Sequence, residues 1–194
     1  METVGYTFRK LIHIGNAFFP ILYLYFIPDR WVLGGLLALL WLIAVWVESH
    51  RQSHTWLRSV FQGMLVTLLK PEEREGRWTG ATWVFAGSAL TILLFPKEIA
   101  CLSLLFMSFG DTAAGIVGRR WGRISIGNKT LEGSLGGIAV CLLVAWFFPS
   151  LSWAVKGTGA LTAMILEALP LAIDDNLRLP LGAGLVMTLL GLAI

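Results

Sequence analysis

The stretch WVLGGLLALLWLIAVWV, residues 31–47, holds 17 consecutive uncharged residues between Asp29-Arg30 and Glu48. As a helix it reaches about 25 Å, close to what a hydrocarbon core requires. Working outward, comparable runs fall near 11–27, 79–95 and 99–118, and three weaker ones follow at 134–148, 157–173 and 180–194. The last begins at Pro180, a residue suited to opening a helix. The chain as a whole is 56% hydrophobic and 14% charged, with mean hydropathy +0.73. That leaves too little polar sequence to clothe a water-soluble globule of 194 residues. The expectation is an all-α integral membrane protein of about seven spans.

Residues 56–69 pattern differently. Trp56, Leu57, Val60, Phe61, Met64, Leu65, Leu68 and Leu69 form a stripe opposite Arg58, Ser59, Gln62 and Gly63, as in an amphipathic helix lying in the interface. With that segment interfacial, twelve basic residues fall on one side: Arg9, Lys10, Arg51, Arg58, Lys70, Arg74, Arg77, Arg119, Arg120, Arg123, Lys129 and Arg178. Only Arg30, Lys97 and Lys156 fall on the other. An eighth span there would scatter the basic loops across both faces, so the split predicts a cytoplasmic N-terminus. Trp31, Trp46, Trp56, Trp78, Trp121 and Trp153 lie near predicted span ends, as interfacial indoles do. Arg9 and Lys10 lead into a run without a small-residue cleavage site, which reads as a retained first span. No internal repeat is visible and the loops are short, so residues 1–194 form a single transmembrane domain. Cys101 and Cys141 sit inside apolar runs and read as small buried hydrophobes. The net charge of +3 on so apolar a chain argues against nucleic acid as a partner. A homo-oligomer is compatible with the sequence.

Ionisable groups within spans are costly and mark function. Asp111 lies about two turns, roughly 10 Å, before the end of its span, among Gly110, Ala113, Ala114, Gly115 and Gly118, which allow a helix or ligand close to the backbone. A packing stripe with Asp111 paired to a neighbouring cation is the plainer alternative. After it comes GRRWGRISIGNKTLEGSLGG, Gly118–Gly137, with six glycines, four basic residues, Thr130, Ser134 and Glu132. Exposed backbone N–H groups and cations suit phosphates, and a carboxylate with hydroxyls suits magnesium. The spacing differs from a Walker A loop, since Asn128 intervenes between Gly127 and Lys129 and no buried strand precedes it. A positive-inside loop would have the same composition.

His13 shares a helical face with Arg9, Lys10 and Asn16. Glu48, His50 and His54 read as a solvated loop, as do Glu72, Glu73 and Glu75. Glu167 is embedded in the sixth predicted span, and Asp174, Asp175 and Asn176 are expected to cap its end, where the aspartates could bind Mg²⁺ or take a proton. All these groups reach one leaflet, where a cytosolic nucleotide could meet them.

At RKLIHIGNAFFP (Arg9–Pro20), GDTAAGIVGRRWG (Gly110–Gly122), NKTLEGSLGG (Asn128–Gly137) and ALPLAIDDNLRLPL (Ala168–Leu181) the chain resembles the family of dolichol, phytol and farnesol kinases and CTP-dependent diacylglycerol kinase. The resemblance covers nearly the whole chain. It implies a multi-pass enzyme, active at the cytoplasmic face, that moves the γ-phosphate of CTP or another nucleoside triphosphate to the hydroxyl of a membrane lipid. It implies that Arg9 and Lys10 form a basic pair, Asp111 is the essential acid, and Gly118 with Lys129–Ser134 serves the nucleotide.

The roles expected on this basis are Mg²⁺ binding by Asp111, with Glu132, Asp174 or Asp175 assisting. Lys129, Arg119 and Arg120 would neutralise phosphate, and Gly115, Gly118, Thr130, Gly133 and Ser134 would line the nucleotide. Glu167, His13 or Asp111 would accept the hydroxyl proton. A cytidylyltransferase that keeps the CMP half of CTP is the rival enzyme. A small transporter would place its polar groups near the midplane between repeated halves, and a structural adaptor would show no nucleotide dependence. The acceptor lipid and the preference for CTP over ATP are not legible in the residues.

Overall fold

The computed structural model describes residues 2–51, 53–63, 69 and 71–193. Helices dominate. α1 (Glu2–Gly15) and α2 (Phe18–Tyr25) replace the single first span expected over 11–27. The cause is Pro20, which has no N–H for the Asn16 carbonyl; that oxygen takes Phe19 N at 3.1 Å instead, and the chain turns. α3 (Arg30–His50) is capped by Asp29, whose carboxylate accepts from Trp31 N at 2.7 Å and Val32 N at 3.1 Å. α4 (Thr55–Gly63) and α5 (Pro71–Arg74) follow. α4 matches the start of the expected interfacial segment, with Trp56 exposed and Leu57 buried. Its continuation, Met64, Leu65 and Leu68, lies outside the described residues, as does Lys70 of the charge count.

α6 (Gly80–Leu94), α7 (Lys97–Leu105), a π-helical turn (Phe106–Gly110) and α8 (Asp111–Trp121) come next. From Lys97 to Trp121 the axis is one continuous 25-residue rod, most of it buried, and its middle is apolar on all sides because other helices surround it. α3, by contrast, is mostly exposed and forms the rim. Among the described residues three helices are long and apolar enough to cross a membrane: α3, the central rod and α11 (Asp175–Ala193). α6 and α9 (Leu131–Ala145) are shorter apolar helices. α10 (Trp153–Ala168) stops where Leu169 turns extended ahead of Pro170. The architecture is that of an all-α membrane protein, with one small exception noted below.

Pro180 does not open the last helix. α11 starts five residues earlier, at Asp175, with Asp174 as its cap: Asp174 Oδ1 accepts from Asn176 N at 3.0 Å. Thus Asp174, Asp175 and Asn176 begin α11 and do not close α10. Pro180 leaves the Asn176 carbonyl without its helical donor, and that oxygen lies against Gly87 of α6, where a Cβ would stand 2.1 Å from it.

Two groups expected in solvent are buried. Glu48, Arg51 and Glu73 are 7%, 5% and 7% exposed. Arg51 pairs with Glu48 at 3.0 Å and donates to the Glu73 and Arg77 carbonyls, both at 2.7 Å. The carboxylates of Glu48 and Glu73 in turn accept Thr79 N at 3.0 Å and Gly80 N at 2.8 Å. Two anions thereby satisfy the open N-terminus of α6, which Thr79's own side chain does not cap. Glu72 and Glu75 are exposed, as expected.

Candidate active site

The site is built on a close crossing of α8 and α9. Gly110 at the end of the π turn and Ala114 and Gly118 on α8 meet Cys141, Gly137 and Gly133 on α9, three positions at four-residue spacing on each side. A Cβ on Gly133 would stand 2.7 Å from the Ala114 carbonyl oxygen and 3.1 Å from Gly118 Cα. Such small-residue faces are how helices approach in an apolar medium. Replacing Gly133 with Ala should therefore push the two backbones apart and lower the melting temperature by several degrees, because overpacking of this kind costs about 1–3 kcal/mol. Thermal unfolding of the detergent-purified variant checks this, and an unchanged melting temperature would contradict it.

Before α9 the glycine-rich loop makes a two-residue antiparallel ribbon, β1 (Ser125–Ile126) with β2 (Lys129–Thr130), an element that the all-α expectation does not contain. Gly127 permits it: its φ of +58° suits the first central residue of a tight hairpin. The ribbon delivers Thr130 as the cap of α9, its hydroxyl accepting Gly133 N at 3.2 Å, and directs Lys129 inward.

Asp111 follows the π turn, is 6% exposed, and faces α1. Lys10 Nζ donates to its carboxylate at 2.9 Å and to its own carbonyl at 3.0 Å. His13 Nδ1 lies 3.4 Å from the same carboxylate oxygen. Gly115 makes the reach possible, since a Cβ there would be 2.8 Å from the Lys10 side chain. Lys10 and His13 thus meet the acid as one face of α1 predicts.

Lys129 is hydrogen-bonded to Glu167 of α10, which is 2% exposed, and lies 3.9 Å from Asp175. Burial alone would lower the Lys129 ammonium. The carboxylate and hydrogen bond of Glu167, with Asp111 and Asp175, overcome this and raise it, so Lys129 stays cationic at any physiological pH. Asp175 also pairs with Arg178.

These pieces border a cavity of about 320 Å³, near the lower limit for small-molecule sites. Lys10, Arg119 and Lys129 line it with Gly115, Gly118, Thr130, Gly133, Ser134 and Glu167. The Ser134 hydroxyl is buried there without a partner. Tyr6, Ala114 and Asn128 also line it. Tyr6 was missed in the sequence, although it stands four residues before Lys10 on the same helical face.

Other expected residues point elsewhere. Arg9 is not in the lining; Arg120 lies over the Trp121 ring at 5.2 Å. Glu132 is exposed and accepts Ile124 N at 3.2 Å, and the backbone N–H groups of Arg123, Glu132 and Ile124 hold its carboxyl below the usual range. Asp174 is engaged with Asn176. The four acids expected at a metal do not converge: among the described residues no three His, Cys, Asp or Glu side chains are grouped as metal ligands.

No protein-family model and no solved structure matches the chain. An uncharacterised protein of Rickettsia prowazekii is 26% identical over 97% of this chain and 98% of its own length. Phytol kinase of Synechocystis sp. is 27% identical over 92% of this chain and 76% of its own. CTP-dependent diacylglycerol kinase 1 of Schizosaccharomyces pombe is 37% identical over 84 residues, 40% of this chain and 38% of that protein. At modest identity, these names support the resemblance to phytol kinases and CTP-dependent diacylglycerol kinases. The chain spans less than half the length of the fungal member of this family, and three quarters of the cyanobacterial one. The relatives named for an activity are kinases, so the lipid-kinase family is where the cavity's chemistry has to be interpreted.

Proposed function

We propose that the chain is a multi-pass membrane kinase that transfers the γ-phosphate of a nucleoside triphosphate, CTP foremost, to the hydroxyl of a polyprenol, a phytol-like isoprenoid alcohol or diacylglycerol. The observation that carries this reading is the cavity itself. Three cations, the N-terminus of α9 and the unpartnered Ser134 hydroxyl face one space beside two buried carboxylates. Helix N-termini and cations bind phosphate. CTP as donor is supported by the names of the fungal relatives. The twelve-to-three charge split supports seven crossings, a cytoplasmic N-terminus and a cytoplasmic site.

In this mechanism Lys10, Lys129 and Arg119 spread the charge of the transferring phosphoryl group, and Gly115, Gly118, Thr130, Gly133 and Ser134 let it approach the backbone. The lipid oxygen bonds to the γ-phosphorus as the bridging bond to the β-phosphate breaks, and the hydroxyl proton passes to His13, which Asp111 orients. Hard oxygen donors suit Mg²⁺, which needs only one or two protein carboxylates when phosphates complete its shell. A single carboxylate, from Asp111 or from Glu167, would meet that need. When bound, the ion would neutralise the β- and γ-oxygens. Arg9 contributes to the surrounding positive field.

The test is transfer of γ-labelled phosphate from CTP, with ATP in parallel, to a panel of lipid alcohols by the purified protein in detergent with Mg²⁺. Label in one lipid names the acceptor. A CDP-lipid with released pyrophosphate would replace this reading with a cytidylyltransferase, and no product from a folded protein would remove it.

A further inference from the structure

We infer that Tyr6 is a substrate-binding residue of this site: its hydroxyl donates to a phosphate oxygen of the bound nucleotide, and its ring is the platform that holds Arg119 towards that phosphate. The inference rests on the nucleotide reading above and adds to it a residue that no motif marks.

The charges in the cavity set the problem. Lys10 is paired with Asp111, and Lys129 with Glu167. Among the described residues no carboxylate pairs with Arg119, so it is the cation lining the cavity whose charge is left for a ligand. An arginine at an exposed position would ordinarily sample many rotamers and lose much of that advantage to entropy. Here the guanidinium carbon lies 4.1 Å above the centre of the Tyr6 ring. Planar stacking on an aromatic face fixes the fork while leaving its N–H groups free at the edge to meet phosphate oxygens.

The hydroxyl gives a second, independent sign. Tyr6 Oη is buried, lines the cavity and has no hydrogen-bond partner among the described residues. A buried phenol without a partner is uncommon, since each such group forfeits a hydrogen bond that water would supply. Burial raises its pKa against the opposing pull of Arg119, so it keeps its proton and acts as a donor. It is held close to α8, where Gly115 leaves room: a Cβ there would stand 3.0 Å from the Tyr6 oxygen. An acceptor in the cavity is what this oxygen lacks, and a phosphate supplies several.

The test uses the purified full-length protein in detergent, with CTP and inorganic tripolyphosphate as separate probes, titrated by calorimetry. Tyr6→Phe keeps the ring and removes the hydroxyl; both probes should bind about tenfold more weakly, by equal factors, because the contact is to phosphate. Tyr6→Leu removes the platform as well and should weaken both further. Arg119→Lys keeps the charge and the tyrosine but loses the planar stack, and is expected to bind both probes more weakly too. Unchanged affinity in Tyr6→Phe overturns the hydroxyl's role, and unchanged affinity in Arg119→Lys overturns the platform, each leaving the nucleotide site itself standing. Failure of the unaltered protein to bind either probe overturns the site and this inference together. In turnover, the Tyr6→Phe defect should lie in KM for the nucleotide and leave KM for the lipid unchanged; a defect confined to the lipid KM would contradict it.

Discussion

Asp111→Asn should abolish phosphoryl transfer, by at least about a thousandfold, while the protein stays folded. The size follows from what the carboxylate does. It is the group on which Lys10 and His13 both converge, and it is 6% exposed. Interactions in such water-excluded sites act at full strength because little solvent screens them. An asparagine is nearly the same shape and can still accept from Lys10, and the Asp111 carbonyl keeps its own bond to that ammonium. The fold therefore survives, at a cost of about 1–3 kcal/mol for an imperfectly paired buried group. What is lost is the negative charge: Lys10 becomes an uncompensated cation, His13 loses the carboxylate beside its ring, and a metal ion held there would lose a ligand. Labelled transfer and melting temperature should be measured on the same preparation. A folded variant with near-normal turnover would remove Asp111 from the chemistry.

The second large effect concerns stability. Gly87→Ala should lower the melting temperature by several degrees, because its methyl would be driven into main chain that has nowhere to go. The new carbon would stand 2.1 Å from the Asn176 oxygen, 3.1 Å from its carbonyl carbon and 3.2 Å from Leu177 Cα. A flexible side chain could swing aside; backbone cannot. Overpacking costs about 1–3 kcal/mol, or several degrees in a chain of this size. α11 also carries Asp175, the neighbour of Lys129, so the displacement should reach the cavity and lower activity too. Gly157→Ala is the contrast, as no neighbouring atom lies within 4 Å of its Cβ position. In a helix that change should be neutral or slightly stabilising. Equal melting temperatures for Gly87→Ala and the unaltered protein would show that α6 and α11 can separate freely.

How much of this was legible in the sequence depends on the range of the interaction. α3 was expected over 31–47 and spans 30–50, because an uncharged run of that length has few alternatives. Asp111 and Glu167 stand out in the sequence because charge inside a span is costly whatever its partners are, whereas Lys129 stands out only through the composition of its loop and Lys10 through the basic pair that the resemblance implies. The break at Asn16 depended on Pro20 and was masked by continuous hydropathy. Glu48 and Glu73 read as solvated loop residues, since composition does not reveal that α6 begins beside them with open N–H groups. The early start of α11 was hidden by Pro180, whose missing bond is tolerated because a glycine on another helix makes room. Tyr6 failed to register because a tyrosine near a membrane surface is ordinarily an anchor.

The bond from Lys10 to Asp111 joins residues 101 positions apart. A chain made from its N-terminus displays Lys10 long before Asp111 exists, and Lys129 in turn waits 38 positions for Glu167. The first helix consequently cannot take up its final place during its own synthesis, and must remain undocked until the central rod has entered the bilayer. A nascent chain interrupted before α8 therefore holds Lys10 with no Asp111 to meet.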